Sequence, residues 1–383
     1  VYTLRRFDPK RYLIYSLTIG LGIGTAIILV LCTDITSARA NIYSQENNSL
    51  KIYSLNEPIV QPLTSTFQVY VPIIISPPPV PRQLGTVNVL AGPYQCDNKK
   101  CYDIQIDCPD LLLPIDATLR IGEPAGLPSQ GTILFATGWD GTWYWGWGGE
   151  AARILGELQA ANYRTVELKW ASNWWSGAQG KLEGHARLAC RPATVARWVY
   201  DNLNEQSPKT AFCAAGNSNG ASQLSYTMAQ YGLADIFSAV ELDGGPNWAR
   251  LDQACFHDDP AYQSLWYDKT ERQNTDMAFG YPQNDGGPCA IQDVNFRGQF
   301  EEASLAFGNW LYIYPKTMVW FLFGELDQTI TKAHGLYFYN QLLKSGSPLV
   351  NMDVITDTDH IVSDTAQGAN KIRDIFINEC HLR

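Results

Sequence analysis

Charge is scarce in this chain: only 17% of its 383 residues are charged, and no cluster of Lys and Arg stands out along the body. Phosphate contacts need such clusters, and the net charge is −10, so the composition disfavours nucleic acid as a partner. Histidine is scarcer still, with five in all. None neighbours the closely spaced Cys96, Cys101 and Cys108, whose spacing matches no common zinc site. No motif elsewhere calls for a metal or an organic cofactor, and no internal repeat is visible. The low hydrophobicity that marks disorder is also lacking. With 45% hydrophobic and 12% aromatic residues, the chain can bury one large core or two small ones.

Residues 12–32, YLIYSLTIGLGIGTAIILVLC, run without a charge behind a basic flank of Arg5, Arg6, Lys10 and Arg11. That length can span a bilayer with the basic side cytoplasmic. Ala38-Arg39-Ala40 suits a signal-peptidase cut after Ala40, so residues 1–40 read either as a cleaved signal or as a retained membrane anchor. Both readings make the body extracytoplasmic, secreted or membrane-anchored. The eight cysteines beyond the apolar run agree, because an even number in an oxidising compartment points to disulfides. An alternative for Cys213, within an apolar strand, is a buried free thiol, which would leave one other cysteine unpaired.

Residues 41–88 are polar and then proline-rich, with Pro77-Pro78-Pro79 and Pro81 favouring an extended spacer or stalk. From 89 to 383 strand-like and helix-like segments alternate. GTILFAT (131–137), RTVELKW (164–170), TAFCAA (210–215), FSAVELD (237–243), TMVWFLFGELD (317–327) and VNMDVIT (350–356) read as strands. Between and after them, 149–162, 191–203, 219–233, 330–343 and 364–379 have helical periodicity. Strands this apolar predict an α/β fold: a mostly parallel central sheet with helices on both faces. Residues 244–316 break the rhythm and read as an insertion with helices of its own.

Between TAFCAA and its helix lies GNSNG, residues 216–220. At a sharp strand-to-helix turn the middle residue presents its hydroxyl, and the positions two before and two after come too close for side chains. Ser218 is thus a candidate nucleophile. A serine hydroxyl needs a base to take its proton, and the base needs a carboxylate to orient it. His360, in the loop after VNMDVIT, is the best-placed histidine; His334 sits within a predicted helix, and His185, His257 and His381 have no comparable position. Asp327, just past a strand end, is the leading acid, with Asp243 and then Glu325 as rivals. Asp357 and Asp359 read as loop hydrogen-bonding residues.

The order Ser218, Asp327, His360, with the elbow GNSNG, the strand end GELD and the loop DTDH, resembles the α/β-hydrolase fold over about residues 110–380. The resemblance implies an esterase- or lipase-like serine hydrolase in which Ser218 attacks a carbonyl and His360, held by Asp327, acts as base and then acid. It further implies an oxyanion hole from the Asn219 amide and a second amide in the loop after an early strand. Many members carry His-Gly there. This chain has Thr137-Gly138-Trp139, which leaves Trp139 and then Gly138 as second donor. Residues 244–316 take the place of a cap, which a Cys255–Cys289 link would brace.

The same loop, TGWDGTWYWGWGGE, holds Trp139, Trp143, Trp145 and Trp147. Trp143 and Trp145, with Asn217 of the elbow, are the candidate substrate-binding residues for a small-molecule or polymer ester. The alternative is that the Trp rings are structural. For the molecule, the alternatives are a surface-tethered, non-catalytic binding protein on a hydrolase scaffold, or a peptidase or acyltransferase using the same triad.

Overall fold

The computed structural model describes residues 26–31, 39–46, 49–54, 79–204, 210–283 and 286–382. They divide into two units, one within residues 1–77 and one spanning 78–383. In the first, β1 (Ala26–Leu31), β2 (Arg39–Glu46) and β3 (Ser49–Ser54) form a three-stranded antiparallel sheet. Of the apolar run 12–32, residues 26–31 are therefore strand, and the others lie outside the described residues. Residues 55–78, with most of the proline-rich stretch, lie outside them as well. Among the described residues no helix is long and apolar enough to cross a membrane.

The second unit opens with three antiparallel strands, β4 (Thr86–Cys96), β5 (Lys99–Asp107) and β6 (Ile115–Gly122). The chain then alternates: β7 (Gly131–Ala136), α1 (Gly149–Ala160), β8 (Tyr163–Trp170), α2 (Gly184–Leu188), α3 (Cys190–Asn202), β9 (Ala211–Asn217) and α4 (Asn219–Ala229). β10 (Ala239–Asp243) leads into the insertion with α5 (Leu251–Phe256), α6 (Lys269–Ala278) and α7 (Arg297–Ala303). β11 (Met318–Gly324), α8 (Ile330–Ser345), β12 (Val350–Ile355) and α9 (Ala366–Glu379) complete it.

The nine strands form one sheet in the order β12-β11-β10-β9-β7-β8-β6-β5-β4, parallel from β12 to β8 and antiparallel from β8 to β4. Alternation along each parallel strand explains its apolar character. Ile133 and Phe135 of β7 and Cys213 and Ala215 of β9 face a core shared with Ile154, Leu155 and Leu158 of α1 and Ile372, Ile375 and Phe376 of α9. Leu134, Phe212 and Ala214 face the other core, with Val195 and Val199 of α3, Leu224 and Met228 of α4 and Phe338 of α8. Both faces are covered, so nearly every position on these strands is apolar; Thr132 of β7 and Glu241 and Asp243 of β10 are among the buried polar exceptions. This is the α/β-hydrolase fold, and its chain order puts the ends of β7 and β9 side by side where connections leave in opposite directions.

Four disulfides join described residues: Cys96–Cys101, Cys108–Cys190, Cys213–Cys380 and Cys255–Cys289. They correct the free-thiol reading of Cys213. Its side chain points into the core that α9 covers, and Cys380 at the end of α9 reaches it there. A strand apolar on both faces gave no sign that a partner lay 167 residues away. The trio Cys96, Cys101 and Cys108 divides between a hairpin closure and a tie to α3, which leaves no thiolate set for zinc.

Candidate active site

Ser218 stands between the end of β9 and the start of α4 with φ 52° and ψ −115°, a left-handed conformation that a side chain adopts only under constraint. The flanking glycines supply the constraint. A Cβ on Gly216 would meet the Gly220 carbonyl carbon at 2.5 Å, and one on Gly220 would meet the Ala136 carbonyl oxygen at 2.1 Å. The Ser218 amide donates to the Asp243 carbonyl (2.7 Å), tying the turn to β10.

His360 Nε2 lies 2.9 Å from Ser218 Oγ, and His360 Nδ1 lies 3.1 Å from Asp327 Oδ2. The Asp327 side chain is fully buried, and its other oxygen accepts from the Thr329 amide (2.8 Å) and hydroxyl (2.7 Å). Burial is the largest influence and raises the carboxyl pKa. The bonds from His360 and Thr329 together outweigh it and hold Asp327 below the usual carboxylate range. The histidine loop is set by Asp359, which accepts the His360 amide (2.8 Å), in the loop-bonding role expected of it. Gly244 has φ +56°, and a Cβ there would meet His360 Nδ1 at 3.0 Å.

The structure separates the rival residues. Asp243 is buried at the end of β10 with neither carboxylate oxygen bonded by a side chain, and burial pushes its pKa well up. Burial thus favours its neutral form, and the His360 ring bonds Asp327 instead. Glu325 is exposed and accepts from the Asp357 amide (3.3 Å). His334 is buried in α8, its Nδ1 taking the Ala249 amide (3.1 Å). His185 is packed among Trp175, Trp248 and Phe279, and His257 stacks on Trp266.

Both asparagines of GNSNG reach across to the loop after β7. Asn217 Oδ1 accepts the Gly138 amide (2.7 Å), and Asn219 Nδ2 donates to the Trp139 carbonyl (2.9 Å). The first bond corrects the reading of Gly138 as an oxyanion donor, because its amide already has an acceptor. It also gives Asn217 a loop-fixing bond in addition to its place on the cavity wall. Trp139 has φ 50°, and its carbonyl also accepts from Trp175 Nε1 (3.1 Å). Asn247, just past β10, donates to Asn219 Oδ1. Sequence reasoning missed Trp175 and Asn247, which lie far along the chain with no motif around them.

A cavity of about 620 Å³ opens beside the serine, lined by residues 137–139, Trp143, Trp145, Trp147, Asn217, Ser218, His360, Ile361, Ser363 and Asp364. The Trp rings divide by role. Trp139, Trp143 and Trp147 are 56%, 38% and 81% exposed, whereas Trp145 is 6% exposed and packs on Phe135 with ring centroids 4.7 Å apart. Trp145 is therefore chiefly a core residue at the cavity's edge. Ile361, Ser363 and Asp364 were not anticipated; the only signal was their position directly after His360. No described residue of 244–316 lines this cavity. That segment packs by α6 and α7 on α2, and Cys255–Cys289 braces it as expected.

No family model matches the chain, and no curated protein matches it. Among solved structures it is similar to Est1E from Butyrivibrio proteoclasticus (12% identity, TM-score 0.45, covering 72% of this chain and 98% of that one). It is likewise similar to a thermostable carboxyl esterase from Bacillus coagulans (12%, 0.47, 72% and 96%). A third is the acylaminoacyl peptidase of Pyrococcus horikoshii (10%, 0.43, 89% and 54%).

Proposed function

From an α/β-hydrolase fold with a serine, a histidine and a carboxylate in register, we propose an exported serine hydrolase that cleaves carboxylic esters through an acyl-enzyme. The observation that carries this reading is the continuous relay Ser218 Oγ, His360 Nε2, His360 Nδ1, Asp327 Oδ2, with contacts of 2.9 and 3.1 Å at the wall of an open cavity. Ser218 Oγ attacks the ester carbonyl while His360 takes its proton, and Asp327 holds the ring and offsets the imidazolium charge. The carbonyl oxygen becomes an oxyanion, for which the Asn219 and Trp139 amides are the donors; among the described residues neither has another acceptor. Collapse breaks the bond to the alkoxy oxygen, which leaves as the alcohol with the proton from His360. Water, deprotonated by His360, then attacks the acyl-serine, and the acid departs as Ser218 regains its proton.

The exposed rings of Trp139, Trp143 and Trp147 at the cavity suit an ester with a flat group to stack, and among the described residues the ionisable side chains on the wall are His360 and Asp364. Neutral or cationic ring-bearing esters follow as the substrate class. Export rests on the four disulfides, which fit an oxidising compartment. The test is a panel of esters, from short acyl to aromatic, run with wild type and Ser218→Ala. The reading expects at least about a thousandfold loss of kcat in the variant; equal rates in the two proteins would refute it.

A further inference from the structure

Directly beneath the Trp loop lies a buried carboxylate that the triad does not use. Glu167 sits in the middle of β8 with its side chain fully buried. Its neighbour across the antiparallel pair is Arg120 of β6. Arg120 Nε and Nη2 reach the two oxygens of Glu167, each at 2.9 Å, and Lys99 Nζ reaches Oε2 at 3.1 Å. The remaining donor is the backbone amide of Gly146, 2.8 Å from Oε1. A buried carboxylate held by two cations and one amide is fully satisfied, and only the amide belongs to the Trp loop.

The loop is anchored at four successive residues, two of them, Tyr144 and Gly146, on the Arg120–Glu167 pair. The Trp143 carbonyl accepts from Thr137 Oγ1 (3.0 Å). The Tyr144 ring lies over the Arg120 guanidinium, 3.9 Å from its centre. Trp145 packs on Phe135, and Gly146 bonds Glu167. A Cβ on Gly146 would press on the Leu155 side chain and come within 3.0 Å of Glu167 Oε1, so glycine gives the backbone its close approach to the carboxylate. With residues 144–146 held inward, the rings of Trp143 and Trp147 are left on the cavity wall.

We propose that Glu167, with Arg120, is a positioning residue that sets the substrate-binding Trp143 and Trp147 at the mouth of the catalytic cavity. This rests on the hydrolase reading of the site. Glu167 touches neither the triad nor the cavity, so its effect is on ring-bearing esters and reaches the reaction only through the loop.

The test is a double-mutant cycle between Glu167→Gln and the pair Trp143→Ala with Trp147→Ala, assayed on 2-naphthyl acetate and methyl acetate. Glu167→Gln should raise KM for the naphthyl ester about 5- to 20-fold with kcat within about threefold, and change methyl acetate little. In the Trp-less background the same substitution should change the naphthyl KM less than about twofold. An equal rise in both backgrounds, or an equal loss on both esters, would overturn the proposal. Should Glu167→Gln fail to fold, Tyr144→Leu removes a loop anchor without disturbing the carboxylate, and a naphthyl KM left at the wild-type value would overturn the proposal. If wild type hydrolyses neither ester, the hydrolase reading fails by itself. Calorimetric titration with 2-naphthylmethanol then decides on positioning: weaker binding by Glu167→Gln supports it, and equal binding contradicts it.

Discussion

At the scale of single residues, what distinguishes the triad acid from its rivals is environment. Asp243 ends β10 and Asp327 lies just past the end of β11, and both are buried. Asp327 receives His360 and two donors from Thr329, which keeps it ionised; Asp243 receives no side chain and is driven toward its neutral form by burial. The sequence ranked Asp327 first by its place after β11, but hydrogen-bond supply depends on the fold and was not legible. Asp364 raises a related issue on the cavity wall, where burial raises its pKa. Its charge should repel anionic substrates and favour cationic ones. Asp364→Asn is expected to raise kcat/KM for an ester carrying a free carboxylate about 3- to 10-fold relative to a neutral ester of the same size. Parallel assays of the two esters check this; an unchanged ratio would remove Asp364 from the specificity argument.

At the scale of elements, the elbow depends on how closely β7, β9 and α4 approach. Gly220 lets the first turn of α4 lie against the end of β7, where any side chain would strike the Ala136 carbonyl. Gly220→Ala should therefore lower stability by about 2–4 kcal/mol and displace Ser218, reducing activity in the folded fraction as well. Denaturant titration and kcat on the folded protein check both parts. Most of the parallel sheet was legible because strands covered on both faces are continuous apolar runs, such as GTILFA and MVWFLFG. The antiparallel edge was not separated from its surroundings. β4 is exposed along nearly its whole length, carries Pro93, and pairs with β5 through irregular registers. The Trp loop was located correctly, but its division into anchors and cavity walls depends on Glu167 and Phe135 below it, which no local pattern reveals.

At the scale of the whole molecule, disulfides and buried titratable groups modulate the stability that the two apolar cores supply. Cys213–Cys380 ties the strand carrying the nucleophile to the end of α9, across 167 residues of sequence. Two buried histidines give the pH dependence a sign. Burial lowers His185 to about 3 and His334 to about 4, from an ordinary value of 6.5. Between those values the unfolded chain binds protons that the folded chain does not, so their contribution is complete above pH 6.5 and is lost as pH falls. Each adds a slope of up to about 1.4 kcal/mol per pH unit. Asp276, raised by burial to about 6, contributes with the opposite sign, losing stability as pH rises through that value. His334→Asn should accordingly flatten the fall in unfolding free energy between pH 6.5 and 4, whatever it does to the absolute value. Urea titrations across that range check it, and an unaltered slope would contradict the assignment.

The central claim is that Ser218 is an activated nucleophile, and covalent labelling tests it most directly. Folded protein treated with a fluorophosphonate, digested and analysed by mass spectrometry should carry one adduct on the peptide containing Ser218. The adduct should be absent after denaturation and absent from His360→Ala, because labelling needs the base as well as the hydroxyl. Folded protein that remains unlabelled at Ser218, or that labels equally well without His360, would contradict the account.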